Sequence, residues 1–232
     1  MRAWLRFFRA VNLPTVPGDV LVGAAAVMSA DGGSRGLEAL VAACAAGVFL
    51  YMFGLADNDI VGAKTDRGRP ISDGSISLGA ARIARGLCLF AALTVGALAN
   101  LPPAWWMAAF ALSVTSVVYN RTKWCLAMGL CRGLNVLCGG VAVLEIGLET
   151  AFSLWACVAV WTSYVAAVTK YSEGEEMDDE KKRRVGFLIG AIVYLQLIAL
   201  LVFPVRPLLI AGAVLLILLR LTKRFLPEVS AS

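Results

Sequence analysis

Apolar residues gather in eight long runs, at about 10–30, 37–56, 78–100, 104–119, 124–148, 151–170, 185–203 and 207–221, and polar residues collect between them. Runs near 20 residues match the helix length that crosses a bilayer's hydrocarbon core. The pattern predicts an all-α, polytopic membrane helical bundle of about eight transmembrane helices, forming one integral domain over residues 1–232. The fourth and eighth runs are short, about 16 and 15 residues or roughly 22–24 Å as helix, so their flanks extend them or they fall short of a full crossing.

The connections alternate in charge. Arg2, Arg6 and Arg9, then Lys64, Arg67 and Arg69, then Arg121 and Lys123, then Lys181 to Arg184, then Arg220, Lys223 and Arg224 fall on one side; the opposite connections carry only Arg35 and Arg206. By the positive-inside bias, both termini and the connections after the second, fourth and sixth runs face the cytoplasm. Trp4, Trp105, Trp106, Trp124 and Trp155 sit near run ends, where amphipathic rings favour the interface. Pro14, Pro17 and Asp19 interrupt the first run and argue for a retained span over a cleaved signal peptide.

Composition narrows the function classes. With 59% hydrophobic residues, 16% charged and a mean hydropathy of +0.78, the chain is far from a soluble domain. The net charge of +5 sits in short loops with no basic-aromatic surface, so no nucleic-acid partner is expected. All six cysteines lie in apolar runs without a C-x-x-C pair and read as small buried hydrophobes. Histidine is absent, so proton transfer must fall to carboxylates, tyrosine, lysine or the substrate.

Against this background the segment 57–77 is conspicuous, with Asp57, Asn58, Asp59, Asp66 and Asp73 among Lys64, Arg67 and Arg69. Such oxygens can hold Mg²⁺ beside substrate phosphates, and the arginines can meet phosphate directly; a solvated topogenic loop is the competing reading. The segment 171–184 repeats the pattern on the same side, with Glu175 and Asp179 four apart on one helical face. Within the membrane, Arg132 and Asn135 share a face of the fifth run; either both line a polar chamber, or Arg132 forms a structural pair with Asp19 or another carboxylate. Tyr119 and Lys123, four apart at the end of the fourth run, point to the same region or snorkel to headgroups.

These residues resemble the UbiA superfamily of intramembrane prenyltransferases. The family's N-D-x-x-D-x-x-x-D is met by Asn58, Asp59 and Asp66, with Gly62 where the middle aspartate belongs. Arg69, Pro70 and Gly74 match the following R-P-x-x-S-G, Glu175 and Asp179 resemble the second D-x-x-x-D, and Tyr119 to Lys123 resemble Y-x-x-x-K. Met128 to Asn135, MGLCRGLN, is similar to the fifth helix of an EboC-like subgroup, and the likeness runs from Asn12 to about Leu221.

The resemblance implies a UbiA-like bundle in the bacterial inner membrane with its active site facing the cytoplasm, membrane lipids around it, and one helix fewer than the usual nine. An allylic polyprenyl diphosphate would be ionised with Mg²⁺ held by Asn58, Asp66, Glu175 and Asp179, and captured by a small-molecule acceptor, an aromatic ring or a hydroxyl; the EboC-like features lean toward a cyclitol-type hydroxyl. Asp59, Asp66 and Asp179 would be catalytic; Asn58, Lys64, Arg67, Arg69, Tyr119, Lys123, Arg132, Asn135 and Tyr171 would bind substrate. The alternative is a non-catalytic isoprenoid- or lipid-binding protein or transporter, which Gly62 favours. The D-G-x-x-A-R signature of CDP-alcohol phosphotransferases is absent.

Overall fold

The computed structural model describes residues 2–31, 36–143, 151–172 and 179–225. A short α1 (Arg2–Phe7) and a 3₁₀ turn (Ala10–Asn12) lead into α2 (Thr15–Asp31). Then follow α3 (Leu37–Val61), α4 (Leu78–Leu98), α5 (Pro103–Thr122), α6 (Cys125–Val143), α7 (Ala151–Ser172), α8 (Asp179–Val202) and α9 (Arg206–Phe225). The eight apolar runs thus become α2 to α9, and no strand occurs among the described residues.

Among the described residues, six helical stretches are long and apolar enough to cross a membrane: Ala10–Ser29, Leu37–Val61, Leu78–Leu98, Cys125–Val143, Phe152–Ser172 and Arg183–Val202. The chain is an integral membrane protein. Apart from the short α1, the other two helices, α5 and α9, are each 20 residues long, about 30 Å, because polar flanks such as Asn120 to Thr122 extend the short apolar runs.

Two helix ends differ from the sequence pattern. Just ahead of the first run the chain turns at Arg9, whose φ of 44° separates α1 from the 3₁₀ turn. Pro17 falls in the first turn of α2, where its missing N–H has no intrahelical partner to lose. At the other site, α3 continues past residue 56 to Val61, carrying Asp57, Asn58 and Asp59 on helix instead of loop.

Helix α6 is the hub, packing on α2, α3, α5 and α7. Its approach to α2 is backbone to backbone: a Cβ on Gly139 would strike the Val20 carbonyl, and one on Gly23 the Val136 carbonyl. Small residues at such crossings let helices gain dispersion contacts where lipid supplies little hydrophobic drive. The outer face of α4 leaves Ile83, Leu87 and Phe90 exposed at helical spacing, as a lipid-facing stripe requires.

Candidate active site

The last turn of α3 sends three successive polar side chains in three directions, as steps of about 100° demand. Asp57 turns to α4 and α5, where its carboxylate accepts from Arg85 at 2.8 Å and Asn120 at 3.0 Å and lies 3.5 Å from Arg121. Asn58 turns to the end of α5, where its Oδ1 accepts from Lys123 Nζ at 2.5 Å. Asp59 turns toward the amino-terminal segment and lies 3.7 Å from Arg69 and 4.0 Å from Arg9.

Beyond Val61 the chain turns tightly. The amides of Thr65 and Asp66 donate to the Gly62 carbonyl at 3.0 and 2.8 Å. This folds the Asp66 carboxyl over Gly62, so that a Cβ at residue 62 would lie 2.6 Å from Asp66 Cγ. Helix α1 fastens the rest of the loop: Arg6 donates to the Gly68 carbonyl at 2.6 Å and lies 3.6 Å from Asp73, and Phe7 is buried with Ala56, Ile76 and Ala81.

These elements surround a cavity of about 230 Å³. Arg9, Asn58, Asp66, Arg69, Tyr119 and Lys123 line its polar part; Val16, Leu50, Leu55, Leu112 and Met128 supply apolar walls; Arg132 and Asn135 line it as well. Burial lowers the Lys123 pKa, with Arg9 and Arg69 acting in the same direction against Asp66 and Asp59. Arg69 is lowered too, first by burial and then by Arg9. Lys123, like Arg9, takes a positive φ, 54°, which costs about 1–2 kcal/mol for a residue with a Cβ. Arg9 Nε, Asp59 Oδ1 and Asn135 Oδ1 are buried without hydrogen-bond partners.

Below lies a cluster in which both oxygens of the Asp19 carboxylate are matched. Asp19 accepts from Trp161 at 2.9 Å, Gln196 at 2.7 Å and Asn135 at 3.3 Å, and Arg132 lies 3.1 Å away. Arg132 also donates to Thr15 Oγ1 at 3.1 Å. The two readings of Arg132 therefore coexist: it pairs with Asp19 and also lines the cavity.

Of the residues singled out in the sequence, Asn58, Asp66, Arg69, Tyr119, Lys123, Arg132 and Asn135 line this one cavity, and Asp59 sits beside it. Lys64 and Arg67 are exposed and do not line it. Tyr171 lies under Lys181 at 5.5 Å, in a separate shallow depression with Glu180, Arg183 and Arg184. Glu175 and the Asp179 side chain lie outside the described residues. Arg9 is the member that the sequence pattern concealed, since a basic residue before a first span reads equally well as a topology signal.

No set of three or more carboxylate or cysteine side chains gathers as a metal site among the described residues. Asn58 Oδ1 is engaged by Lys123, and among the described residues Asp66 is the one carboxylate lining the cavity. The described donors alone do not fit a divalent ion.

No protein-family model and no curated protein matches the chain. Solved structures do. A UbiA homologue from Archaeoglobus fulgidus bound to GPP and Mg²⁺ matches with a TM-score of 0.59 at 14% identity, over 97% of this chain and 87% of that one. A digeranylgeranylglyceryl phosphate synthase matches with a TM-score of 0.60 at 15% identity, over 99% and 90%. The Archaeoglobus protein bound to Cd²⁺ matches at 0.56, with 14% identity over 97% and 87%. The chain has a UbiA-like fold.

Proposed function

We propose that the protein is an intramembrane prenyltransferase, moving a polyprenyl group from an allylic diphosphate to an aromatic or hydroxyl acceptor and releasing diphosphate. The observation that carries this reading is one cavity that joins Arg9, Arg69 and Lys123, with Asp66 and the Asp19-paired Arg132, to apolar walls. A diphosphate ester has this composition, with charge at one end and hydrocarbon at the other. The similar UbiA homologues bound to GPP and DMAPP support it, and MGLCRGLN resembles the EboC-like subgroup.

In this reading the guanidiniums of Arg9 and Arg69 and the Lys123 ammonium receive the diphosphate oxygens, and Tyr119 flanks them. The allylic C–O bond breaks with its electron pair passing to the departing oxygen, where these fixed charges stabilise it. The acceptor, held beside the allylic carbon, forms the new bond and loses its proton to Asp66 or to the diphosphate, an arrangement that gains from proximity. Asp59 holds Arg9 and Arg69 near the site. If Mg²⁺ takes part, Asp66, Glu175 and Asp179 are its carboxylate candidates. The site faces the cytoplasm by the charge pattern of the loops.

The test is pyrophosphate release from geranylgeranyl diphosphate by detergent-purified protein with Mg²⁺ and a panel of phenols and polyols. Release that requires an acceptor and falls at least tenfold in Asp66→Ala is expected. Binding without release under every acceptor selects the non-catalytic isoprenoid carrier, which the missing carboxylate at Gly62 favours.

A further inference from the structure

We infer that protein cations, with Lys123 foremost, take the place of a divalent ion beside Asn58, so that this chain grips a diphosphate at its first polar loop without Mg²⁺. The inference rests on the reading of the cavity as a prenyl diphosphate site, and three independent observations carry it.

The oxygen of Asn58 that would ligate a metal already accepts the Lys123 ammonium at 2.5 Å. The backbone is bent to place that ammonium, since Lys123 caps α5 in the left-handed conformation with its amide bound to the Tyr119 carbonyl at 2.7 Å. Strained backbone of this kind gathers where a side chain must be held in position.

Position 62 supplies no metal ligand either. Gly62 brings no carboxylate, and the Asp66 carboxyl lies over it, so a side chain there would have to displace the end of Asp66.

The remaining charge is net cationic, with Arg9 and Arg69 joining Lys123 against Asp59 and Asp66. Arg9 and Arg69 stand on the Asp59 side, yet at 4.0 and 3.7 Å neither makes a hydrogen bond to it, and Arg9 Nε is buried without any partner. This net positive local charge favours an added anion over an added dication. Unused N–H donors in a partly buried setting match phosphate oxygens.

Calorimetric titration of detergent-purified protein with geranyl diphosphate and with inorganic pyrophosphate, each in excess EDTA and in Mg²⁺, tests this. Geranyl diphosphate should bind in EDTA within about threefold of its affinity in Mg²⁺. Lys123→Gln should weaken the EDTA titration by about tenfold or more, the loss of one charged hydrogen bond, while Lys123→Arg should retain most of it. Thermal unfolding of each variant serves as the control for folding. Binding by the wild type in Mg²⁺ but not in EDTA overturns the inference and leaves the prenyl diphosphate reading standing. Binding in EDTA that Lys123→Gln does not weaken also overturns it. Failure to bind geranyl diphosphate in either buffer defeats both.

Discussion

Two buried aspartates on neighbouring helices show what kind of charge a membrane bundle can keep. Asp19 and Asp59 are both almost wholly inaccessible, and both face arginine. Asp19 is met by Arg132, Asn135, Trp161 and Gln196, all within 3.3 Å, which ties α2 to α6, α7 and α8. Around Asp59 the guanidiniums stop at 3.7 and 4.0 Å, and Oδ1 and Arg9 Nε are left unmatched. Burial and sign are alike; completeness of hydrogen bonding differs. A matched buried charge secures helices, whereas unmatched ones beside a cavity are disposed to receive a ligand's charge.

The largest expected effect lies at the matched site. Asp19→Ala leaves Arg132 buried without its counter-ion and should cost about 3–5 kcal/mol, read as a collapse of the melting temperature in detergent. Asp19→Asn should cost less, because an amide oxygen still accepts from Trp161 or Gln196. A variant Asp19→Ala that melts with the wild type would break the comparison. At the unmatched site the effect should move from stability to binding. Arg69→Gln and Arg9→Gln should each lower geranyl diphosphate affinity about tenfold while leaving the melting temperature nearly unchanged. A melting loss as deep as that of Asp19→Ala would place these arginines in the scaffold instead.

The bundle was legible in the sequence because lipid leaves an apolar run of span length little choice but helix. What the runs could not disclose depended on partners remote in the chain. Helix α3 continues through Asp57 because Arg85, Asn120 and Arg121 satisfy it, and Arg85 lay inside a segment that reads as apolar. Arg9 belongs to the cavity because a left-handed residue turns the chain there, which periodicity does not register. Gly62 reads as a lost ligand in one dimension; in three, Asp66 has taken its space. Asn58, Asp66, Arg69, Tyr119 and Lys123, which line the one cavity, stood out in the sequence because each motif's spacing is local and such chemistry is unusual in so apolar a chain.

The smallest expected effect sits at the rim, where Asp73 lies 3.6 Å from Arg6 and links the loop to α1. Hydrogen bonds from Ser75 hold the Asp73 carboxyl below its ordinary value of 3.8, so the folded state favours the ionised form. A depressed acid contributes stability that is complete above the unfolded pKa and is lost as pH falls through the folded value, which here lies below 3.8. Between neutral pH and about pH 5 this group should therefore add no slope to a melting curve. Asp73→Asn keeps an oxygen for the Ser75 amide, and the ion pair it removes is exposed and screened. Its melting temperature and geranyl diphosphate affinity should both match the wild type. If affinity instead falls as far as in Arg69→Gln, with melting unchanged, the pull of Arg6 on the loop sets the position of Arg69. The boundary between scaffold and site would then run through α1, outside the cavity itself.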